Sequence, residues 1–155
     1  MPTVTIVASG SAMVYGKNAT YGTARSTASG LIDLVTEWKS GGTFANVDYG
    51  GRPDWSNPGN AAVSDNTYVA CTMLVNGDSD ILRITNFSFS EIPAGAIING
   101  IEFQYERKAS ATEWIKDYRI YARKTSGQVG TNQADLSVWW PTADAYKTYG
   151  GATSL

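Results

Sequence analysis

The chain of 155 residues contains no histidine and a single cysteine, Cys71. Without an imidazole, Ser-His-Asp and Cys-His catalysis and the usual zinc sites cannot be built from this sequence alone. One thiol cannot close an internal disulfide. In the alternating run from Tyr68 to Leu74, Cys71 reads as a small buried hydrophobe in a protein that folds under reducing conditions. Charge is scarce as well, at 17% of residues with a formal net of −2. Arg107-Lys108 and Arg123-Lys124 are only short basic pairs at strand ends, so no field wide enough to hold a nucleic-acid backbone is expected. No apolar run reaches membrane-spanning length, and no basic stretch followed by an apolar one opens the chain. Neither membrane insertion nor a signal peptide is expected.

What the chain has is turn chemistry and aromatic surface. Sixteen glycines and many Ser, Thr and Asn residues separate short apolar runs, and the five Trp and nine Tyr set it apart from a disordered polymer. The composition predicts one all-β domain, with strands near residues 67–75, 80–89, 96–107, 115–124 and 136–140. The run from Ile81 to Phe89, the Pro93-Ala94-Gly95 turn and the alternating run from Ala96 to Tyr105 read as a strand pair whose register that turn sets. Each such run must bury one face, which points to an antiparallel β-sandwich. Asn99-Gly100 is also a two-residue hairpin signal, but is read as a bulge or close-packed glycine within one long strand. Ile101, Phe103 and Tyr105 share a face opposite Glu102, Gln104 and Glu106. Tyr118, Ile120 and Ala122 oppose Asp117, Arg119, Tyr121 and Arg123, so that acidic positions on one strand would meet basic positions on its neighbour. The expected core is Leu82, Ile84, Ile101, Phe103, Tyr105 and Ile120.

Residues 1–45 differ in character and are expected to form an extended N-terminal arm, with residues 46–155 as the sandwich domain. Pro2 to Ala8 alternates and can be a short strand, but Ser9 to Ser29 is mostly Gly, Ala, Ser and Thr, too little apolar surface to fold by itself. Leu31, Leu34, Val35 and Trp38 share one helical face with Ser29 as a possible cap, while the β-branched content equally permits a strand. Tyr146 to Leu155 reads as a turn leading into a further strand. Five or six strands are countable where a sandwich usually needs about seven or eight, so the missing edge is expected from the N-terminal segment or another subunit.

Candidate chemistry is weak throughout. Gly10 to Asn18 has five residues between its glycines where a phosphate-binding loop has four, and Asn18 stands where Ser or Thr would hold magnesium. Asp78-Ser79-Asp80 offers oxygens at short spacing without the bidentate Glu of a calcium loop, and reads as a solvated turn. Glu102, Glu106 and Glu113 suggest a solvated sheet face rather than a glycosidase pair. No catalytic residue, metal or cofactor is expected. Trp114, Trp139, Trp140 and Tyr121 are the candidate interface or glycan-stacking residues. Adjacent Trp139 and Trp140 in a strand must point to opposite faces, so at most one lies in the core and the other faces a partner, a loop or a sugar.

Trp55 to Ala61, Ser64 to Tyr68, Leu82 with Thr85 to Phe89, and Ile92 to Phe103 together resemble a pattern found in structural proteins of tailed-bacteriophage virions. The resemblance continues weakly through Tyr149-Gly150-Gly151 to Leu155 and covers roughly the C-terminal two-thirds, leaving residues 1–45 outside it. The Ile-Pro-Ala-Gly turn feeding an Ile-x-Gly-Ile strand also resembles jelly-roll modules attached to carbohydrate-active enzymes. These motifs bear fold, and no active-site residue carries over. The resemblance implies a jelly-roll-like sandwich serving as a non-enzymatic virion component assembled in the host cytoplasm, foremost a capsid decoration or cement protein. Its implied partners are other virion proteins such as the major capsid protein, and copies of itself. A tail or fibre component is the close second, and a carbohydrate-binding or host-adhesion module, with glycan as partner, is the alternative from another class.

Overall fold

Ile81, Leu82 and Ile84 make a β-branched and aliphatic run that can pack on a pleated surface, and it forms the backbone of the largest sheet. A computed structural model describes residues 5–9, 24–26, 32–34, 36, 38–73, 76–93 and 96–151. Its strands are β1 (Thr5–Ser9), β2 (Ala24–Ser26), β3 (Ile32–Leu34), β4 (Thr43–Val47), β5 (Trp55–Ser56), β6 (Ala70–Cys71), β7 (Ile81–Thr85), β8 (Ile101–Arg107), β9 (Arg119–Lys124), β10 (Gly127–Val129) and β11 (Ala145–Gly151). The helical content among the described residues is one 3-10 turn, Pro58–Ala62. The protein is all-β.

Five strands form one antiparallel sheet in the order β10-β9-β1-β7-β4, and β11-β8, β2-β3 and β5-β6 are separate two-stranded ladders. β1 is an interior strand: Ala8 lies opposite Leu82 on one side and Ile120 on the other. The segment expected as an arm therefore contributes a central strand instead of an edge, and the boundary drawn at residue 45 passes through β4. Ile32–Leu34 is strand, paired with Ala24–Ser26, which decides between the two readings of that region. The Gly10 to Asn18 loop, the Ser29 cap, Leu31, Val35, Ala94-Gly95 and residues 152–155 lie outside the described residues.

The expected hairpin between the runs on either side of Pro93 does not form. β7 pairs with β1 and β4, whereas β8 pairs with β11. Asn86 ends β7 by taking a left-handed backbone (φ 52 to 63 is the range of the non-glycine residues in that region, and Asn86 sits at 60), and its side chain bonds Thr43 Oγ1 at 2.8 Å. The Ile92 amide then donates to the Phe89 carbonyl and the Ala96 amide to the Pro93 carbonyl, each at 3.1 Å, before the chain enters β8 in a different sheet. Strand structure resumes only at Ile101, directly after Asn99-Gly100, which is thus an entry to β8 and not a bulge within a longer strand. Residues 136–140 form no strand beyond one bridge, Lys116 to Trp139. Because β8 and β9 are not neighbours, the expected pairing of their acidic and basic positions is also absent. Gln104 instead donates to Thr148 on β11, at 2.9 Å.

The core is aromatic and unusually polar. Leu82 and Ile120 come from the five-stranded sheet, Tyr105 and Tyr149 from the β8-β11 ladder, and Trp55, Ala61, Val69, Ala109 and Trp140 from the segments around them. Phe44, Ile84 and Phe103 pack against this cluster half-buried, while Ile101 is half-buried at the start of β8. Full burial of Leu82 and Ile120 contributes about 1.5–3 kcal/mol each. Trp55 reaches the core with its indole N–H donated to the Asp80 carbonyl at 2.8 Å, and Asn46 ties Asp54 and Asp80 together at 2.8 Å each. The turn at Asp78-Ser79-Asp80 is therefore structural, with Ser79 and Asp80 fully buried instead of solvated.

Candidate interaction surface

The exposed aromatic surface is carried by two short segments that meet antiparallel. Lys116 bridges Trp139, and the Trp140 amide donates to the Ile115 carbonyl at 2.8 Å. Glu113, in a left-handed conformation (φ 56), turns the chain into the first segment. Asp135 shapes the second by accepting from the Ser137 amide at 3.1 Å and its hydroxyl at 2.6 Å. Alternation then sorts the side chains: Trp140 is buried at 3% exposure, whereas Trp139 is 40% exposed. Trp114, two residues before Lys116, is 67% exposed, and Leu136 and Val138 are exposed beside Trp139 in sequence.

The inward side is anchored on one carboxylate. Asp117 Oδ1 accepts from the Tyr105 hydroxyl at 2.5 Å and from Trp140 Nε1 at 2.8 Å. Its Oδ2 accepts from Arg107 Nη1 at 2.5 Å and from the Tyr149 hydroxyl, to which Arg107 also donates at 2.9 Å. Four donors from β8, β11 and the Trp140 segment thus converge on a carboxylate that is 1% exposed. The rings reinforce the geometry: Tyr105 and Tyr149 stack with centroids 5.4 Å apart and planes 10° from parallel, and Phe103 stacks on Tyr149 at 5.1 Å. Burial, and then the Asp117 charge, push the Tyr105 hydroxyl well above the ordinary phenol range. Burial and the hydrogen bond to Asp117 do the same for Tyr149. Burial alone would lower the Arg107 pKa, but the adjacent Asp117 charge outweighs it and the guanidinium is held protonated.

The outward side is open. Lys116 Nζ sits 3.9 Å from the centroid of the Trp139 ring, so one face of that indole is already occupied by a cation. Of the four candidate interface residues, Trp114 and Trp139 lie on this surface. Trp140 does not: it is corrected to a core residue, because its N–H is spent on Asp117 and its ring packs 6.0 Å from Tyr105. Tyr121 lies elsewhere, half-buried on β9 and lining a cavity at the outer side of the five-stranded sheet.

Sequence reasoning missed Arg107, Asp117, Tyr149 and Lys116. Arg107 shares parity with Phe103 and Tyr105, which was a usable signal that its side chain points inward. Asp117 gave none, because the alternation expected for its segment breaks: Tyr118 is 41% exposed although Ile120 is buried, as regular pairing starts only at Arg119. Among the described residues no group of three or more His, Cys, Asp or Glu is placed to hold a metal ion. Comparison of the chain with protein-family models, with curated proteins and with solved structures finds no match in any of the three.

Proposed function

We propose that this protein is a non-enzymatic structural component of a bacteriophage virion, most specifically a capsid decoration protein that stiffens the particle through contacts with the major capsid protein and with copies of itself. The observation that carries the reading is the pair of exposed indoles, Trp114 and Trp139, the second backed through Trp140 by the Asp117 knot. Trp139 sits at a bridge to Lys116 whose neighbour, Trp140, is pinned by Asp117, and Leu136 and Val138 are exposed beside it in sequence. A surface pre-ordered in this way loses little side-chain freedom on association, and buried indoles are frequent interface hot spots, each worth roughly 2–4 kcal/mol. Repetition over a particle multiplies weak single contacts.

The same reading includes a jelly-roll-like sandwich. Its support is that Leu82 and Ile120 of the five-stranded sheet and Tyr105 and Tyr149 of the β8-β11 ladder share one buried cluster, as facing layers would. An N-terminal arm, in this reading, is tethered by the pairing of Thr5–Ser9. Sugar stacking on Trp139 is restricted by Lys116, whose ammonium takes one of the two ring faces that a pyranose could use.

The test is composition and binding. Mass spectrometry of virions whose genome encodes this chain should find it in copy numbers comparable to the capsid subunit, and a Trp114→Ser/Trp139→Ser variant should fold normally yet fail to co-sediment with the particles. Virions devoid of the chain, or full binding by the double variant, would remove the proposal.

A further inference from the structure

The outer face of the five-stranded sheet is basic and tyrosine-lined. Register puts Arg119, Tyr121 and Arg123 of β9 on the side opposite buried Ile120, and Arg83 of β7 on that same side, since Val7 lies between Arg83 and Tyr121. Tyr49, Tyr118 and Tyr121 with Arg119 and Arg123 line a cavity of about 240 Å³ there. Arg119 stands between two rings, 5.1 Å from the Tyr49 centroid and 4.8 Å from that of Tyr118, and donates to both hydroxyls, so it is a fixed wall. Arg83 and Arg123 are exposed and make no ion pair or hydrogen bond with a described residue. Among the described residues the one carboxylate lining the cavity, Asp78, is already paired with Arg52 at 3.5 Å.

We propose that this face binds an acidic saccharide, with one sugar ring lying against Tyr121 in the cavity and its carboxylate held by Arg123. Three features select that class. The volume admits one ring and excludes a drug-sized ligand, for which pockets run from roughly 300 to 1,000 Å³. Among the described residues the lining is phenolic and planar-polar with Ile81 as its only aliphatic member, which suits a ring bearing C–H groups on its faces and hydroxyls at its edge better than an apolar peptide side chain. The Arg123 guanidinium, without an ion-pair partner among the described residues, offers the fork geometry that matches a carboxylate. This site is separate from the Trp114/Trp139 surface and stands whether or not the chain belongs to a virion.

The experiment is a titration of the full chain with digalacturonate, followed by calorimetry and by the NMR signals of the tyrosine rings. Saturable binding with Kd on the order of 1 mM is expected. Arg123→Gln and Tyr121→Leu should each weaken it at least about fivefold, and Trp114→Ala should leave it unchanged. Lactose and a tetraglutamate peptide, supplying the ring without the charge and the charge without the ring, should each bind at least about tenfold more weakly. No saturation up to on the order of 10 mM, equal binding of either control ligand, or an unaffected Arg123→Gln variant would overturn the assignment.

Discussion

Changing Asp117 to Asn tests the knot beneath the exposed indoles. The substitution keeps shape and removes charge, leaving the Arg107 guanidinium, with 4% of its side chain exposed, without a counter-ion. Stranding one partner of a buried ion pair costs about 3–5 kcal/mol. The Asn amide adds to this, because its NH2 sets a donor against one of the two donor pairs, Tyr105 with Trp140 or Arg107 with Tyr149, and each buried group left unsatisfied costs about 1–3 kcal/mol. A loss of about 4–6 kcal/mol is therefore expected from a domain whose total stability is of the order of 5–15 kcal/mol. With a urea m-value of about 2 kcal/mol/M, the unfolding midpoint should fall by about 2–3 M, read from the fluorescence of buried Trp140. Pairing Arg107→Met with Asp117→Leu should recover much of the loss, because replacing both ions by apolar groups leaves nothing uncompensated. A midpoint shift below about 0.5 M for Asp117→Asn, or strict additivity of the two single changes, would refute the account of the knot.

Alkaline pH should also weaken the fold through Tyr105 and Tyr149. Both hydroxyls have folded pKa values raised above the ordinary value near 10, so the unfolded chain releases their protons first; stability is intact below about pH 10 and then falls by about 1.4 kcal/mol per pH unit for each tyrosine. Urea midpoints between pH 9 and 11, flattened in a Tyr105→Phe/Tyr149→Phe variant, check this. Gly150→Ala should cost at least about 2 kcal/mol, since the backbone there is left-handed (φ +79) and a Cβ would lie 2.0 Å from the Ile101 carbonyl, while Gly59→Ala, with open space around it, should change stability by less than about 1 kcal/mol. Burial, and then the charges of Asp80 and Asp54, push the Cys71 thiol up to about 11, so alkylation by iodoacetamide at pH 8 should run roughly a hundredfold slower than for a free cysteine. A rate within tenfold of the free thiol would contradict that environment.

Period-two reasoning worked where a strand is regular. The inward parity of Ile101, Phe103 and Tyr105 is visible in the sequence, and so is the opposition of Trp139 and Trp140, because each depends only on neighbouring residues. What was illegible is long-range. Nothing local tells β7 to choose β1 and β4 over the nearby β8, since the turn residues around Pro93 suit a hairpin as well as a crossing. The Asp117 site drew on residues 10 to 32 positions away, and each of those looked ordinary on its own: a basic pair at a strand end, a tyrosine in a late strand. A buried charge is identified only by the partners that satisfy it. The short alternation around Pro2 to Ala8 was readable as a strand, but its place at the centre of a sheet was not.

That placement sets the timing of biosynthesis. β1 is translated well before both of its neighbours, β7 and β9, the second ending at Lys124. At about 5–20 residues per second, β1 waits on the order of ten seconds before its second partner exists. Until β9 is made, the edge of β1 that it will cover stays an unpaired ladder open to any chain nearby, so yield in a cell should depend on chaperone capacity more than the final stability of the protein would suggest.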